Sequence, residues 1–276
     1  MKIIILVEDL KAGGRLKNEH GLSLYIEKDD KKYLLDVGKS DVFIKNAKKL
    51  GVDISDIDAV FISHNHYDHI GGLKAFFKVN YKAKVYLKED AKNQYYAKEH
   101  GIIIKISGEK KIYSKYLDRF VFVKENFKLN DIYILSDIMS DEAFFCQDKR
   151  LLKKQDEKYV SDDFSHEMFI GIKEKGKIHV LSSCSHRGIV NILKTVEKRI
   201  KIPIGMVIAG LHMSAKGGKA INCSEDYFSS VMLELEKMQS DKIYTCHCTG
   251  LFAFKKLKKQ LGDKIEYIKT GETIII

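Results

Sequence analysis

The chain has 276 residues, of which 45% are hydrophobic and 31% are charged, and this balance excludes an intrinsically disordered or fibrous protein. Its 48 Lys and Arg residues against 38 Asp and Glu residues give a net charge of +10, but only five of the cations are arginines. Base readout and bidentate phosphate recognition favour arginine. The composition therefore predicts a solvated, lysine-rich surface that could attract a small anionic substrate, and it argues against a nucleic-acid partner.

No apolar run approaches the roughly 18 residues that a membrane-spanning helix needs. The apolar run 3–7 is short, and Glu8 and Asp9 follow at once, which predicts a first β-strand and no secretory leader. The five cysteines form no regularly spaced framework, and this favours a reducing compartment. We therefore expect a cytoplasmic protein without a membrane segment. The sequence leaves its oligomeric state open, with a homodimer as one option.

In the first half of the chain, short apolar and β-branched stretches between charged turns predict a meander of strands. Helical spacing of apolar residues interrupts this meander three times, which predicts helices at 41–50, 73–77 and 90–100. The predicted strands are 22–27, 33–36, 59–63, 84–87, 102–106, 120–123 and 132–135.

The second half alternates strands with helices, the pattern of strands joined by crossover helices. The predicted strands are 168–172, 178–182, 204–209, 242–245 and 272–276, and the predicted helices are 189–199, 224–238 and 252–261. A polar segment of mixed charge, 140–165, predicts a long loop or lid. We expect one α/β domain over 1–276, with two sheets packed face to face, helices outside, and a lid or insertion around 139–166.

A dense histidine motif follows the predicted strand 59–63. His64 and His66 are two residues apart, so an extended chain puts both side chains on one face. Asp68 and His69 come after the chain turns into a helix, so they can face a second ion. Imidazole and carboxylate ligands suit zinc, iron or manganese. The motif predicts a metal site, with a chance cluster of surface histidines as the alternative.

Three further histidines, His186, His212 and His247, each follow a predicted strand. Open α/β sheets bind ligands at the carboxyl ends of their strands, so we expect these histidines to share one rim. His186 and His247 are predicted metal ligands. His212 is open between a ligand, a general acid or base, and a substrate contact.

The cysteines near these histidines also have competing interpretations. Cys184 lies two residues before His186 and is either a thiolate ligand or a small buried residue. Cys246 and Cys248 flank His247, but one residue separates them, so they are not a CxxC pair.

Three other histidines are less specific. His100 ends a predicted helix, where a cation suits the helix dipole, and His179 lies within a predicted strand, so both are interpreted as structural. His166 precedes a strand, as a ligand would, but it lies at the edge of the polar segment.

These motifs resemble the metallo-β-lactamase fold superfamily, whose HxHxDH signature is matched by His64, His66, Asp68 and His69. Asp36 matches the aspartate that supports the ligand loop in that family. The resemblance implies a four-layer αββα sandwich of two mixed β-sheets flanked by helices, with the site at one edge of the sheets. The branch called beta-lactamase superfamily II metal-dependent hydrolases is similar to this chain at 19–23, 183–191, 210–213 and 246–250.

The chain departs from the wider superfamily at the strand before His186. Most two-metal members have a histidine before this strand and a bridging aspartate at its end, whereas this strand ends near Cys184. The position of the histidine that precedes this strand in those members falls near Asp162, Asp163 and His166 in this chain. Cys184, Asp163 and His166 are therefore all open as ligands, and so is a site with one ion or with two.

The resemblance implies two divalent ions, with zinc first and iron or manganese as alternatives. Three histidines would hold one ion, namely His64, His66 and His186. The second ion would be held by Asp68, His69 and His247. A metal-bound hydroxide would then hydrolyse a phosphoester or a related small anionic substrate.

The remaining site residues have roles in catalysis and substrate binding. Asp68 would orient the nucleophile, and His212 would protonate the leaving group. Arg187 and His20 would bind the anionic substrate. The resemblance leaves open a dihydropterin-ribofuranosylaminobenzene-phosphate-synthase-like transferase that releases pyrophosphate. A non-catalytic metal-binding sensor or interaction protein is the alternative from a different class.

Overall fold

The computed structural model describes residues 1–145, 148–215 and 220–276, which form eighteen strands and seven α-helices. The strands are β1 Lys2–Val7, β2 Ser23–Lys28, β3 Lys31–Leu35, β4 Ala59–Phe61, β5 Lys84–Lys88, β6 Tyr95–Glu99, β7 Ile102–Lys105, β8 Phe120–Val123, β9 Phe127–Leu129, β10 Ile132–Leu135, β11 Leu151–Gln155, β12 Lys158–Ser161, β13 Phe169–Glu174, β14 Lys177–Ser182, β15 Ile204–Ala209, β16 Lys242–Thr245, β17 Ile265–Tyr267 and β18 Thr273–Ile275. The helices are α1 Val42–Lys49, α2 Tyr67–Ile70, α3 Leu73–Val79, α4 Lys111–Lys115, α5 Ile189–Arg199, α6 Glu225–Lys237 and α7 Gly250–Leu261.

The chain divides into two compact units, each assembled from separate segments. The first unit contains Met1–Lys124, Lys149–Glu167 and Lys269–Ile276. The second unit contains Glu125–Asp148 and Met168–Ile268. The expectation of a single domain over 1–276 stays a prediction.

The main sheet of the first unit has seven strands in the order β18-β1-β2-β3-β4-β5-β8. Its first three pairings are antiparallel and its last three are parallel. Parallel neighbours need a crossover connection, which α1 supplies between β3 and β4 and α3 supplies between β4 and β5. Phe43 and Ala47 of α1 and Leu73 and Phe76 of α3 are buried in this unit's apolar core.

A second sheet of the first unit corrects the helix predicted at 90–100. Residues 95–99 form β6 in the antiparallel sheet β12-β11-β6-β7, because buried Tyr95 and Ala97 alternate with more exposed neighbours at the strand period of two. His100 and Gly101 make the turn to β7 with φ of 49° and 82°. His100 is therefore a hairpin-turn residue and does not end a helix.

The polar segment 139–166 is more regular than the long loop expected for it. Residues 151–161 form the hairpin of β11 and β12, and β11 pairs with β6, so backbone hydrogen bonding in a sheet outweighs the polar composition. Residues 146 and 147 of this segment lie outside the described residues. A lid role for the segment stays a prediction.

The second unit has its own seven-stranded sheet, in the order β17-β16-β15-β14-β13-β10-β9. The pairings from β14 to β17 are parallel, with α5, α6 and α7 as the crossovers, and the remaining pairings are antiparallel. Apolar residues of the three helices, including Ile192, Val231 and Leu257, are buried with this sheet in a separate core. Each unit is therefore a mixed sheet with helices packed on it, as the predicted α/β class requires.

None of the helices in the described part of the chain combines the length and apolar character needed to cross a membrane. The cytoplasmic location and the oligomeric state stay predictions.

Candidate functional site

The histidine motif of the first unit begins just after β4. The chain remains extended through His66, with φ −102° and ψ 145°, and then turns into α2. His64 and His66 consequently share one side, with ring centroids 4.6 Å apart, and the His64 and His69 rings are 4.2 Å apart. Asp68 Oδ2 lies 3.4 Å from His69 Nε2. We call these four buried residues, His64, His66, Asp68 and His69, the histidine cluster.

Asp36 orients two members of the histidine cluster. It follows β3, the parallel neighbour of β4, so both strands end at the same edge. One of its oxygens accepts the Ser63 backbone N–H at 2.8 Å, and the other contacts the Ser63 hydroxyl at 2.7 Å and His69 Nδ1 at 2.8 Å. Ser63 Oγ in turn lies 2.8 Å from His64 Nδ1.

This chain of hydrogen bonds assigns the imidazole tautomers. The Ser63 hydroxyl has one proton, which it donates to the Asp36 carboxylate, so His64 Nδ1–H donates to Ser63 Oγ. His69 Nδ1–H donates to Asp36 in the same way. Nε2 is then the nitrogen of both rings that can coordinate a metal, and a buried carboxylate behind the ligand is the usual support of a metal-binding histidine. The sequence indicated Asp36, but the bridging role of Ser63 was missed.

The pKa values of His66 and His69 are shifted in opposite directions. Burial lowers the pKa of His66 to about 3, so this ring is neutral and ready to coordinate. Burial also acts to lower the pKa of His69, but the carboxylates of Asp68 and Asp36 outweigh it and raise that pKa to about 9. In the metal-free protein His69 therefore holds a proton that a metal ion must displace.

His166 supports the motif from behind. Its Nδ1 accepts the Asn65 backbone N–H at 2.9 Å, and its Nε2 lies 3.2 Å from Asp162 Oδ2. The ring stacks on Tyr95 with centroids 3.7 Å apart. Although burial acts to raise the pKa of Asp162, its electrostatic interaction and hydrogen bond with His166 outweigh this and the pKa is lowered. Both nitrogens of His166 are thus engaged in holding Asn65 between the two cluster histidines, which favours a positioning role over that of a ligand.

Asp163, the other residue left open by the sequence, points elsewhere. Its carboxylate accepts a 2.7 Å hydrogen bond from Lys153 Nζ, and half of its side chain is exposed. This contact favours an ion pair on the hairpin of β11 and β12.

His20 lies between two carboxylates of the first unit. Its Nδ1 is 3.0 Å from Asp9 Oδ2, and its Nε2 is 3.4 Å from Asp68 Oδ2. The side chain is 54% exposed, so a substrate can reach it. The predicted role of His20 in substrate binding has the required accessibility and stays a prediction.

The strand-end histidines of the second unit follow three adjacent parallel strands, β14, β15 and β16. The His186 and His212 rings are 4.3 Å apart. Ligand atoms of Cys184, His186 and His212 lie within 4.8 Å of one another, as do those of Cys184, His247 and Cys248. We call these five residues, Cys184, His186, His212, His247 and Cys248, the thiol–imidazole cluster.

Cys248 is the member of this cluster that sequence reasoning missed. Its spacing from Cys246 excluded a CxxC site, but its partner in space is Cys184, which follows a different strand. The sequence did contain a signal for this pair, because a cysteine lies close to a histidine after each of two predicted strands. Burial acts to raise the pKa of Cys248, but its contacts with Cys184 and His212 and the charge of His247 outweigh it, and the pKa falls well below the ordinary value.

Two other predicted residues of the second unit have defined partners. His212 has a left-handed backbone with φ 46°, and its Nε2 lies 3.4 Å from Asp148 Oδ2. Arg187 donates to Ser140 Oγ at 2.6 Å, and its guanidinium lies over the Phe145 ring. The Arg187 guanidinium therefore holds the loop after β10, and its role in substrate binding, like that of His212 in catalysis, stays a prediction.

Both clusters fit divalent metal ions. The histidine cluster offers buried imidazoles with a carboxylate, and the thiol–imidazole cluster offers imidazoles with thiols. These donor types are the ones that zinc and iron accept. The donors are already close together and, in the histidine cluster, are oriented by hydrogen bonds to their second ring nitrogens.

Comparisons with known proteins agree with this geometry. Residues 17–133 match the model of the Metallo-beta-lactamase superfamily. A relative from Methanocaldococcus jannaschii, 7,8-dihydropterin-6-methyl-4-(beta-D-ribofuranosyl)-aminobenzene-5'-phosphate synthase, is 28% identical, and the match covers 99% of this chain and 96% of the relative.

Solved structures show the same likeness. Tm1679, described as a metal-dependent hydrolase of the beta-lactamase superfamily, is 27% identical with a TM-score of 0.84, covering 100% of this chain and 99% of its own. Zn(2+)-bound PqqB from Methylobacterium extorquens has a TM-score of 0.60 at 11% identity over 100% of both chains, a likeness of fold alone. The chain therefore has the metallo-β-lactamase fold, which confirms the fold class and the resemblance predicted from its sequence.

Proposed function

We propose that this protein is a metal-dependent hydrolase of a phosphoester or a related small anionic substrate. The observation that carries the proposal is the buried Asp36 carboxylate, which orients His69 directly and His64 through Ser63. Burying a carboxylate costs free energy unless it is paired and hydrogen-bonded, and a buried carboxylate behind a histidine is the usual support of a metal ligand. The net charge of +10 supports an anionic substrate.

The proposed metal donors lie in both units. In the first unit they are His64, His66, Asp68 and His69, and in the second unit they are His186 and His247. Two divalent ions are proposed, with zinc first and iron or manganese as alternatives. When bound, such an ion acts as a Lewis acid toward a phosphoryl oxygen and activates water for attack.

The other proposed roles belong to residues with defined partners. Asp9 fixes the ring of His20, which is 54% exposed and can contact an anionic substrate. Asp148 lies against Nε2 of His212 and restrains a ring that can deliver a proton to a leaving group. Arg187 adds a positive charge on the loop that follows β14.

The test begins with protein stripped of metal and reloaded with zinc, iron or manganese, and then assayed on phosphomonoesters, phosphodiesters and diphosphates. We expect turnover only after reloading, and a loss of more than about 100-fold in the double variant His64→Ala/His66→Ala. The matched control is His100→Ala, an exposed turn histidine that should retain full activity and metal. Unchanged activity and metal content in the double variant would overturn the site assignment. Full metal binding without turnover on any substrate would favour a non-catalytic metal-binding protein.

A second candidate is a transferase like the M. jannaschii synthase, and the observation that favours it is 28% identity along almost the whole of both chains. Incubation with a dihydropterin diphosphate ester and a ribofuranosylaminobenzene phosphate separates the two proposals. A transferase releases pyrophosphate in step with a coupled product and only when both substrates are present. A hydrolase releases phosphate or pyrophosphate from one substrate alone.

A further inference from the structure

Two thiols meet in the second unit although they lie 64 positions apart in the sequence. The Sγ atoms of Cys184 and Cys248 and one ring nitrogen of His247 all lie within 4.8 Å of one another. Cys184 is 2% exposed, Cys248 is partly buried, and neither forms a disulfide. Neither thiol belongs to the ligand set of the proposed function.

Three strand-end loops hold Cys248 in this place. Its Sγ accepts the backbone N–H of His212 at 3.3 Å and lies 3.7 Å from the Cys184 carbonyl oxygen. A Cβ on Gly210 would come within 2.6 Å of that sulfur, so only glycine leaves space for it. The sulfur is therefore packed between the loops that follow β14 and β15, which are the loops that carry His186 and His212.

Two simpler explanations account for less of this arrangement. A small buried residue needs only an apolar pocket, but Cys248 faces imidazoles and a backbone N–H, which are partners of a polar or charged sulfur. A structural disulfide does not need His247 beside both sulfurs. Two thiolates and an imidazole are instead a donor set that binds zinc or iron tightly.

We propose that Cys184 and Cys248 bind a thiophilic divalent metal as a thiolate pair, together with His247. Zinc holds thiolate sulfur at about 2.3 Å and imidazole nitrogen at about 2.0 Å. Donor atoms within 4.8 Å of one another need only small side-chain rotations to close around an ion. Each sulfur binds as a thiolate, so any proton that it holds is released to solvent. The inference rests on the proposed function and extends it, because it adds two thiolate donors to the histidines proposed for the second unit.

The test uses the full chain, with cobalt(II) as a spectroscopic substitute for zinc. Thiolate bound to cobalt gives an intense charge-transfer absorption in the near ultraviolet, which imidazole and carboxylate ligands do not. We expect this band in the wild-type protein, about half of its intensity in Cys184→Ser and in Cys248→Ser, and full intensity in Cys223→Ser. Cys223 is a partly buried cysteine of the same unit that lies outside the cluster.

A thiol titration of the folded wild-type protein needs no variant. Reaction of the partly buried Cys248 with an aromatic disulfide reagent should slow when cobalt or zinc is added. Bound cobalt without a thiolate band, or a band that neither serine variant reduces, would overturn the inference while leaving the hydrolase proposal intact. A thiolate band without turnover would support the inference and count against the hydrolase. Failure of cobalt and zinc to bind at all would overturn both.

Discussion

The carboxylate of Asp36 lies 2.8 Å from Nδ1 of His69, and both side chains are fully buried. The same carboxylate reaches His64 through the Ser63 hydroxyl. One acidic residue thus sets the orientation of two histidines and leaves Nε2 of each ring as the nitrogen that could coordinate a metal. Asp36 is therefore a positioning residue, and its replacement should act on metal affinity.

We expect Asp36→Asn to lower the affinity for zinc by about 10- to 100-fold, because an amide has no charge and presents only one acceptor atom. Competition with a chromogenic chelator measures this affinity. The matched control is Asp41→Asn, an exposed aspartate paired with Lys45, which should bind zinc as the wild type does. Equal zinc affinity in both variants would remove Asp36 from the site.

The raised pKa of His69 predicts how the metal-free protein responds to pH. Its folded-state pKa of about 9 exceeds the ordinary value of 6.5, so the folded state binds this proton more tightly than the unfolded chain does. The stabilisation is fully present below pH 6.5 and is lost as the pH rises through about 9. In urea unfolding of the chelator-treated protein, His69 should therefore contribute a free energy of unfolding that falls across this window, while the lowered pKa of Cys248 contributes one that rises toward pH 9.0.

The same pH series on Asp36→Asn checks the cause. Without the carboxylate the folded-state pKa of His69 should drop, so the decline should be shallower. Equal pH dependence of stability in the wild-type protein and in Asp36→Asn between pH 6.5 and 9 would contradict the assignment of this proton to His69, since the contribution of Cys248 is common to both proteins.

His166→Phe distinguishes a positioning residue from a metal ligand. Phenylalanine can keep the stacking on Tyr95 but leaves the Asn65 backbone N–H without its acceptor. We expect the free energy of unfolding to fall by about 1–3 kcal/mol, with the metal content per chain unchanged. Metal analysis beside His64→Ala, which should lose metal, provides the comparison. If His166→Phe lost as much metal as His64→Ala, His166 would be a metal ligand.

Gly210→Ala tests the packing around Cys248. The added methyl would meet Cys248 Sγ at 2.6 Å and the Ser183 carbonyl oxygen at 2.7 Å. We expect a destabilisation of about 1–3 kcal/mol, measured by urea unfolding. Gly171→Ala in β13 is the milder comparison, since its methyl meets the Ile178 side chain at 3.1 Å and the Ile200 side chain at 3.6 Å. A larger effect at Gly171 would show that the space near Cys248 is not restricted.

Local sequence pattern predicted the regular elements well where one periodicity dominated. Strands β8, β10, β15 and β16 and helix α5 have the predicted bounds, because each is an uninterrupted apolar or amphipathic run. The pattern misled at 90–100, where the chain forms β6 and a turn. There the strand depends on pairing with β11, more than 50 residues later, and no local signal reports such a partner.

The sequence by itself determined the chemical identity of the candidate ligands and their places at strand ends, because HxHxDH and the histidines after β14, β15 and β16 are local patterns. Only the tertiary structure decided which groups orient them. Asp36 meets Ser63 from 27 residues away, His166 meets Asn65 from 101 residues away, and Cys248 meets Cys184 from 64 residues away. Such contacts depend on strand order and register in a sheet, which is a cooperative property of the whole chain that no short segment encodes.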